Sequence, residues 1–198
     1  MPKAQTMFRP SSTTGRRGDH CDDGSLPVIV PRNDKPLVAM KPERVRRLRE
    51  HLLKLIREMR TEKPWACSAS TVLEPTGFHA TVARTACALC KGWCCRNGDD
   101  DGFLDECALA RVRGVQPAIT DQNLLHLYLG RVPAVVYRDS CIFHGKHGCT
   151  LDRSLRADIC NYYYCGGLSA YMTTDAMTPT TIIAGEGARM RTSPVLTP

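Results

Sequence analysis

The chain has 198 residues, a formal net charge of +7 and 42% hydrophobic residues, which suits one modest folded domain with tails. It holds no apolar run of about 18 residues, so the sequence excludes a membrane-spanning helix, and its N-terminus lacks the apolar stretch of a secretory signal. Eleven cysteines are the unusual feature. In the reducing cytoplasm, where we expect this chain, clustered cysteines bind metals or carry redox chemistry more often than they form structural disulfides.

The first 64 residues divide into two predicted segments. Residues 1–40 mix Pro, Gly, Ser, Thr and charged residues, and we expect them to form a disordered basic leader. Residues 41–64 predict an amphipathic helix, with Pro42 in its first turn and Pro64 at its end. Apolar residues recur there at steps of three and four, the spacing of one helix face. They are Val45, Leu48, Leu52, Leu55 and Met59.

The outer face of this helix is positively charged. Residues 41–63 carry nine Lys or Arg against four Glu. Such a face is compatible with docking on nucleic acid or on an acidic protein partner. We favour the other interpretation, in which the basic face is solvated and the helix packs against the domain.

Residues 66–186 hold the remaining predicted structure, and we expect residues 187–198 to form a loose tail. The elements expected in chain order are a helix over 103–113, a helix over 121–129 capped by Thr120, a strand over 133–138, a hairpin with arms 140–143 and 149–151, a short helix over 154–159 and a strand over 180–184. Together they predict a small α+β domain rich in irregular structure.

Eight of the eleven cysteines form two groups that lie far apart in the chain. The first group is Cys87, Cys90, Cys94 and Cys95, and the second is Cys141, Cys149, Cys160 and Cys165. The C-x-x-C spacing lets two thiolates face one metal ion while backbone N–H groups bond the sulfurs. We therefore predict that the two groups converge in space as one metal centre. Cys21, Cys67 and Cys107 fall outside both groups.

The adjacent pair Cys94 and Cys95 constrains how the thiols are used. A disulfide between neighbours is strained, and neighbouring side chains diverge from an extended backbone. One of the two can therefore bind a metal while the other serves a second metal or a redox role. Eight thiols suit two Cys₄ zinc sites, one cluster with spare thiols, or a binuclear centre. Trp93 and the aromatic run 162–164 suit the shielded surroundings of an iron–sulfur cluster, and they also suit a small zinc domain.

Other side chains near the cysteines have two interpretations each. His144 and His147 flank the hairpin tip, where a histidine can replace one thiolate as a ligand, but we favour exposed turn residues. Arg153 and Arg156 can offset the negative charge of a thiolate site, or they can form ordinary surface salt bridges.

These cysteines carry a resemblance to a known family. The pattern C-x-x-C-x-x-x-C-C, followed by C-x-F-x₄-G-C-x-L and then C-x₄-C, resembles the YkgJ-type cysteine-cluster family over residues 85–167, and all eight cysteine positions are filled. The resemblance implies a zinc- or iron-chelating domain without an assigned activity. A related branch includes the flagellin lysine N-methylases, which implies an iron–sulfur-dependent modifying enzyme as one outcome.

The function that we expect is metal binding, with an iron–sulfur cluster or Zn²⁺ held by the eight clustered cysteines. An iron–sulfur-dependent protein-modifying enzyme similar to a lysine N-methylase is the first alternative. A zinc-stabilised module that binds nucleic acid or protein is the second, and the basic leader and helix are its support. We expect no membrane partner.

Overall fold

The computed structural model describes residues 25–61, 67, 75–174 and 177–198. Small sheets and short helices make up these residues, which confirms the predicted α+β class. The helices are α1 (Pro42–Thr61), α2 (Gly77–Cys90), α3 (Glu106–Val115), α4 (Asp121–Leu129), α5 (Asp158–Tyr162) and α6 (Gly166–Met172). The strands are β1 (Leu26–Val30), β2 (Leu37–Ala39), β3 (Val135–Tyr137), β4 (His144–Gly145), β5 (Gly148–Cys149), β6 (Thr180–Ala184) and β7 (Arg191–Thr192). None of the helices in these ranges has the length and apolar character needed to cross a membrane.

One sheet has the order β1-β6-β7 and joins the two ends of the described chain. β1 is parallel to β6, and β7 is antiparallel to β6. Helices α2 and α6 pack on this sheet, and the buried apolar residues between them form a core that we call the α2 core. The residues fully buried there are Val28, Val30, Phe78, Val82, Ala83, Ala86, Cys90, Leu168, Tyr171, Ile182 and Ala184.

The second sheet is antiparallel, with the order β2-β3-β4-β5. Beside it, α1 packs against α3 and α4 around a second core, which we call the α1 core. Leu48, Leu52 and Leu55 of α1 are buried in it, which confirms the predicted amphipathic face. Cys95, Cys141 and Cys149 also lie in or against this core.

Local signals in the sequence located several elements well. α4 begins after Thr120, whose side-chain oxygen accepts a hydrogen bond from the N–H of Asn123, and it ends before Gly130. The predicted strands at 133–138 and 180–184 are β3 and β6. The predicted hairpin is present as β4 and β5, with much shorter arms than expected.

Two predictions about the ends of the chain are wrong within the described residues. Residues 25–40 are not a disordered leader, because β1 and β2 lie there; residues 1–24 lie outside the described part. Residues 187–198 are not a loose tail, because β7 pairs with β6 and the backbones of Thr180 and Leu196 exchange two hydrogen bonds of 2.8 Å. The order of residues 25–40 comes from pairing with strands distant in sequence, whereas β7 pairs with the nearby strand β6.

Three of the seven basic residues of α1 form ion pairs with carboxylates elsewhere in the domain. Arg44 and Arg47 both bind Asp100, and Arg60 binds Asp121. Two further ion pairs run along the helix, Arg46 with Glu50 and Lys54 with Glu58. The interpretation of α1 as a helix that packs against the domain is confirmed.

Candidate metal centre

The end of α2 places the first two cysteines. Cys87 and Cys90 lie in its last turn, and the chain then reverses through Lys91 (φ 52°) and Gly92 (φ 65°), both left-handed. Lys91 closes the helix by donating its N–H to the carbonyl of Cys87 at 3.1 Å. Sequence analysis predicted no helix at these residues. In the structure, the C-x-x-C spacing spans the last turn of a helix and not a free turn.

A short 3-10 turn, Trp93–Asn97, places Cys94 and Cys95. Its first N–H, that of Trp93, is directed at the sulfur of Cys90 at 3.4 Å. Backbone N–H groups that point at cysteine sulfur favour the thiolate form and are common around metal-bound cysteines.

The hairpin brings the second cysteine group against the first. The N–H of Cys141 donates to the carbonyl of Cys95 at 2.8 Å. Phe143 N–H points at the sulfur of Cys141 at 3.5 Å, and Cys149 lies on β5. The predicted convergence of the two groups is therefore present in the fold.

The last two cysteines come from helices α5 and α6. Cys160 lies within α5, and Cys165 precedes the first turn of α6. All eight cysteines of the two predicted groups are free thiols, whereas Cys21 lies outside the described residues.

Four thiols form what we call the first thiol set. They are Cys87, Cys90, Cys94 and Cys165. Burial raises the pKa of Cys87 to about 11, and the charges of Cys94 and Cys165 raise it as well. Burial raises the pKa of Cys90 to about 12; the Trp93 N–H lowers it in part, and the other three thiols of the set raise it.

The remaining four thiols form the second thiol set. They are Cys95, Cys141, Cys149 and Cys160. Burial raises the pKa of Cys141 to about 12, the Phe143 N–H lowers it in part, and Cys149 and Cys160 raise it. Burial also raises the pKa of Cys160 to about 11, with contributions from Cys149 and from Cys94 of the first set.

The packing divides five of the eight thiols in the same way as their electrostatic interactions do. Cys90 and Cys165 belong to the α2 core, while Cys95, Cys141 and Cys149 belong to the α1 core. The sequence grouping was different, because it placed Cys95 with Cys90 and Cys165 with Cys141. The adjacent residues Cys94 and Cys95 therefore serve different sets.

Cys94 and Cys95 also connect the two sets. The hydrogen bond between their side chains lowers the pKa of Cys94 and raises that of Cys95. Cys94 is thus the thiol that ionises first at this junction, stabilised by the proton that its neighbour retains.

The thiols are neighbours without forming a closed ligand shell. Within the described ranges, no three His, Cys, Asp or Glu side chains are placed so that they could hold one metal ion. The chemistry of the donors nevertheless fits a metal that prefers sulfur, since tetrahedral zinc and iron–sulfur clusters both take four thiolates.

Glycines let the chain pass closely over the thiols. A side-chain carbon on Gly98 would stand 2.9 Å from Cβ and 3.2 Å from Sγ of Cys141. One on Gly92 would stand 2.5 Å from Nε2 of His144 and 3.3 Å from Sγ of Cys95. Sequence reasoning singled out neither glycine, because the close approach involves residues far along the chain.

His144 is not the exposed turn residue that we expected, although His147 is exposed. The His144 side chain is only 1% exposed, and its Nδ1 lies 2.7 Å from Oγ of Ser140. The ring packs on Tyr137 with 4.6 Å between centroids. Burial lowers the pKa of His144 to about 4, so the imidazole is neutral near pH 7.

Two arginines lie close enough to the second thiol set to act on it. The positive charge of Arg156 offsets part of the effect of burial on the pKa of Cys160, while its Nε donates to the carbonyl of Leu151 at 2.8 Å. Arg44 acts in the same sense on the pKa of Cys141. The charge-offsetting role predicted for Arg156 is supported, and Arg44 was missed because it lies on α1, far away in sequence.

Cys67 and Cys107 form a disulfide. Sequence analysis left both residues outside the two cysteine groups and did not predict this bridge. The bridge joins Cys107, in the first turn of α3, to a residue that precedes α2, so the loop it closes encloses the whole first cysteine group. A bridge of this kind restricts the unfolded chain.

Comparison with known proteins gives no match to this chain among family models, curated proteins or solved structures. What the site does is therefore argued from its own residues.

Proposed function

We propose that this chain is a metal-binding protein that holds Zn²⁺ or an iron–sulfur cluster through its clustered cysteines. The observation that carries the proposal is the convergence of eight free thiols, drawn from four separate segments, into two sets of four. Free cysteine is among the residue types most often buried in protein cores. That tendency explains a buried thiol at any one position, but it gives no reason for eight thiols to lie close together.

The electrostatics of the thiols support the same proposal. Burial raises the pKa of Cys90 and Cys141 to about 12, and neighbouring thiols raise it further, so without a cation these two sulfurs stay protonated near pH 7. A bound cation supplies the missing positive charge, releases the thiol protons and turns mutual repulsion into ligation. The candidate ligands are Cys87, Cys90, Cys94 and Cys165 in the first set and, in the second, any of Cys95, Cys141, Cys149 and Cys160.

Bound zinc would supply folding free energy, and an iron–sulfur cluster would supply electron transfer. The chain's own residues would orient the ligands. Trp93 and Phe143 direct N–H groups at sulfur, and Arg44 and Arg156 offset negative charge.

Membership of the YkgJ-type family and a cytoplasmic location belong to this proposal. The family is suggested by the eight cysteine positions alone. The location is suggested by the eight clustered free thiols, since a reducing compartment keeps thiols available to metals, although the Cys67–Cys107 disulfide is unusual for such a compartment.

A protein-interaction module is the second candidate, because large aromatic side chains are exposed beside the cysteines. Trp93 is 42% exposed and Tyr163 is 53% exposed. The Arg96 guanidinium lies 4.1 Å from the centre of the Trp93 ring. Aromatic residues and arginine are enriched in protein interfaces, so a zinc-stabilised domain could present this pair to a partner.

The experiment that tests the function is elemental and acid-labile sulfide analysis of the full chain, purified anaerobically. Iron with sulfide would support a cluster and would keep the protein-modifying enzyme as an alternative. Zinc without sulfide would support a structural site and remove redox chemistry. A full-length, folded protein that contains neither, and whose eight thiols all react with an alkylating reagent, would refute the proposal.

A further inference from the structure

One buried imidazole lies at the second thiol set. His144 is 1% exposed, and its neighbour Ser140 is also 1% exposed. The carbonyl of Ser140 accepts a hydrogen bond from Arg44 at 2.6 Å, which fixes the serine. The serine hydroxyl, at 2.7 Å from Nδ1, in turn fixes the ring.

This arrangement directs the other ring nitrogen toward the thiols. Nε2 of His144 and Sγ of Cys95 border the same small space, since both lie within 3.3 Å of the point where a side-chain carbon on Gly92 would stand. His144 is also the direct strand partner of Cys149 in the β4–β5 pair. Cys141 and His144 are separated by two residues, the spacing at which two side chains of one turn face the same ion.

Cys160 is placed differently from the other thiols of the second set. It is exposed, whereas Cys141 is buried and Cys95 and Cys149 are half-buried. Cys160 lies near Cys94 of the first set as well as near Cys149. Cys160 therefore lies between the two sets, whereas His144 lies among the thiols of the second set.

We propose that Nε2 of His144 is the fourth donor of the second set, completing a three-sulfur, one-nitrogen metal site with Cys95, Cys141 and Cys149. The inference rests on the proposed metal-binding function and refines it. Cys160 then remains a solvent-exposed thiol beside the site.

The chemistry of the surroundings fits a ligating histidine. When Nε2 binds a metal, Nδ1 carries the ring proton and donates it to an acceptor, which orients the imidazole. The Ser140 hydroxyl is that acceptor. A neutral imidazole in place of a fourth thiolate also reduces the negative charge that must be buried.

The test isolates the second set in the full-length chain. The variant Cys87→Ser, Cys90→Ser retains the second set alone and is loaded with Co²⁺ under anaerobic, reducing conditions. We expect the ligand-field bands of tetrahedral cobalt with three sulfurs and one nitrogen, at shorter wavelength than those of cobalt with four sulfurs. A four-sulfur spectrum, or no cobalt binding by this variant when the wild-type chain binds cobalt, would overturn the inference. A wild-type chain that binds no cobalt, zinc or iron would instead overturn the proposed function.

Single substitutions in the same background separate a ligand from a packing residue. His144→Ala should abolish cobalt binding, and His144→Cys should restore it with a four-sulfur spectrum, which a purely structural histidine would not allow. Cys160→Ser should leave both the stoichiometry and the spectrum unchanged, as should the neighbouring control His147→Ala. Loss of cobalt in Cys160→Ser together with its retention in His144→Ala would reverse the assignment.

Discussion

Gly92 lies where the two cysteine groups approach one another. Its φ of 65° is left-handed, and any side-chain carbon there would stand 2.5 Å from Nε2 of His144. Gly92→Ala should therefore lose about 1–2 kcal/mol from its backbone conformation and should also displace the His144 ring. We expect a lower free energy of unfolding and a lower metal content.

The matched control is Gly187→Ala. Gly187 has a φ of 54°, and a side-chain carbon there would meet no atom within 4 Å, so this variant carries the backbone cost alone. Urea unfolding and metal analysis of both variants measure the difference. Equal losses of stability, with unchanged metal content in Gly92→Ala, would show that the contact with His144 is unimportant.

The buried thiols predict how the stability of the metal-free protein depends on pH. Burial raises the pKa values of Cys90 and Cys141 from 9.0 to about 12 in the folded state. Their contribution to stability is therefore fully present below the unfolded-state value and is lost as the pH rises from there toward 12. Urea unfolding in chelator and reductant should show stability falling as the pH is raised above 9.0.

Cys141→Ala is the control for this pH dependence. It removes one of the thiols whose pKa burial raises, so the decline above the ordinary thiol pKa should become shallower. A metal-free wild-type protein whose stability is flat or rises over that range would contradict the assignment of these thiols to buried positions.

At the residue scale, the sequence predicted that the two cysteine groups approach one another but not the state of His144. Spacing identified the eight thiols because ligand patterns are short and local. The burial of His144 depends on Ser140 and Tyr137 as packed in three dimensions. The pattern of a Gly-containing turn favours exposure, and tertiary packing overrode it.

At the scale of the elements, α6 lies directly on the backbone of β1. A side-chain carbon on Gly167 would stand 1.8 Å from the carbonyl oxygen of Ile29, whereas one on Gly166 would meet nothing within 4 Å. Gly167→Ala should therefore lower the free energy of unfolding by about 1–3 kcal/mol or more, because the helix must move off the sheet.

Gly166→Ala is the control on the same helix. We expect it to be near neutral or to stabilise by less than about 1 kcal/mol. Chemical denaturation of the two variants measures the difference, and similar values for both would contradict the close packing of α6 on β1.

Asp100, in the loop that follows Cys95, holds α1 against that loop through ion pairs. It is 9% exposed and binds both Arg44 and Arg47. Asp100→Asn leaves two guanidinium groups without their carboxylate, so the free energy of unfolding should fall by about 1–3 kcal/mol. Thermal or urea denaturation provides the measurement.

The control for Asp100 is an exposed pair on the same helix. Arg46 and Glu50 have side chains that are 69% and 66% exposed, and Glu50→Gln should cost less than about 0.5 kcal/mol because solvent screens the pair. If Asp100→Asn lowered the free energy of unfolding no more than Glu50→Gln does, the ion pairs of Asp100 with Arg44 and Arg47 would contribute nothing to stability.

The elements that the sequence predicted are those with local signals. The cap at Thr120 and the apolar face of α1 depend on neighbouring residues, and both are confirmed. β1 and β2 were missed because their order comes from pairing with β6 and β3, which lie far along the chain. The apolar, β-branched run LPVIV at residues 26–30 is itself a strand signal, which the composition of the surrounding leader obscured.

At the scale of the whole molecule, the thiol sets lie where the two cores meet. The first set is seated against the α2 core and the second against the α1 core. Cys94 and Cys95, joined by one peptide bond, connect them. Bound metal would therefore fasten the two cores to one another, and its removal should destabilise the whole chain more than the loss of any one surface contact.

Convergence of the cysteine groups was predictable, because a metal needs ligands from both. The division into sets was not. It depends on α6, which brings Cys165 back to the end of α2. The order of the cysteines along the sequence does not reveal that proximity.

The most direct test of the metal centre is the metal-to-protein ratio of the anaerobically purified full chain and of three single variants. Cys87→Ser removes a ligand from the first set only and Cys149→Ser removes one from the second only, so each should lose about half of the metal bound by the wild type, while Cys107→Ser, outside both sets, should lose none. Metal content that is unchanged in both Cys87→Ser and Cys149→Ser, or that is absent from the wild type, would contradict the account.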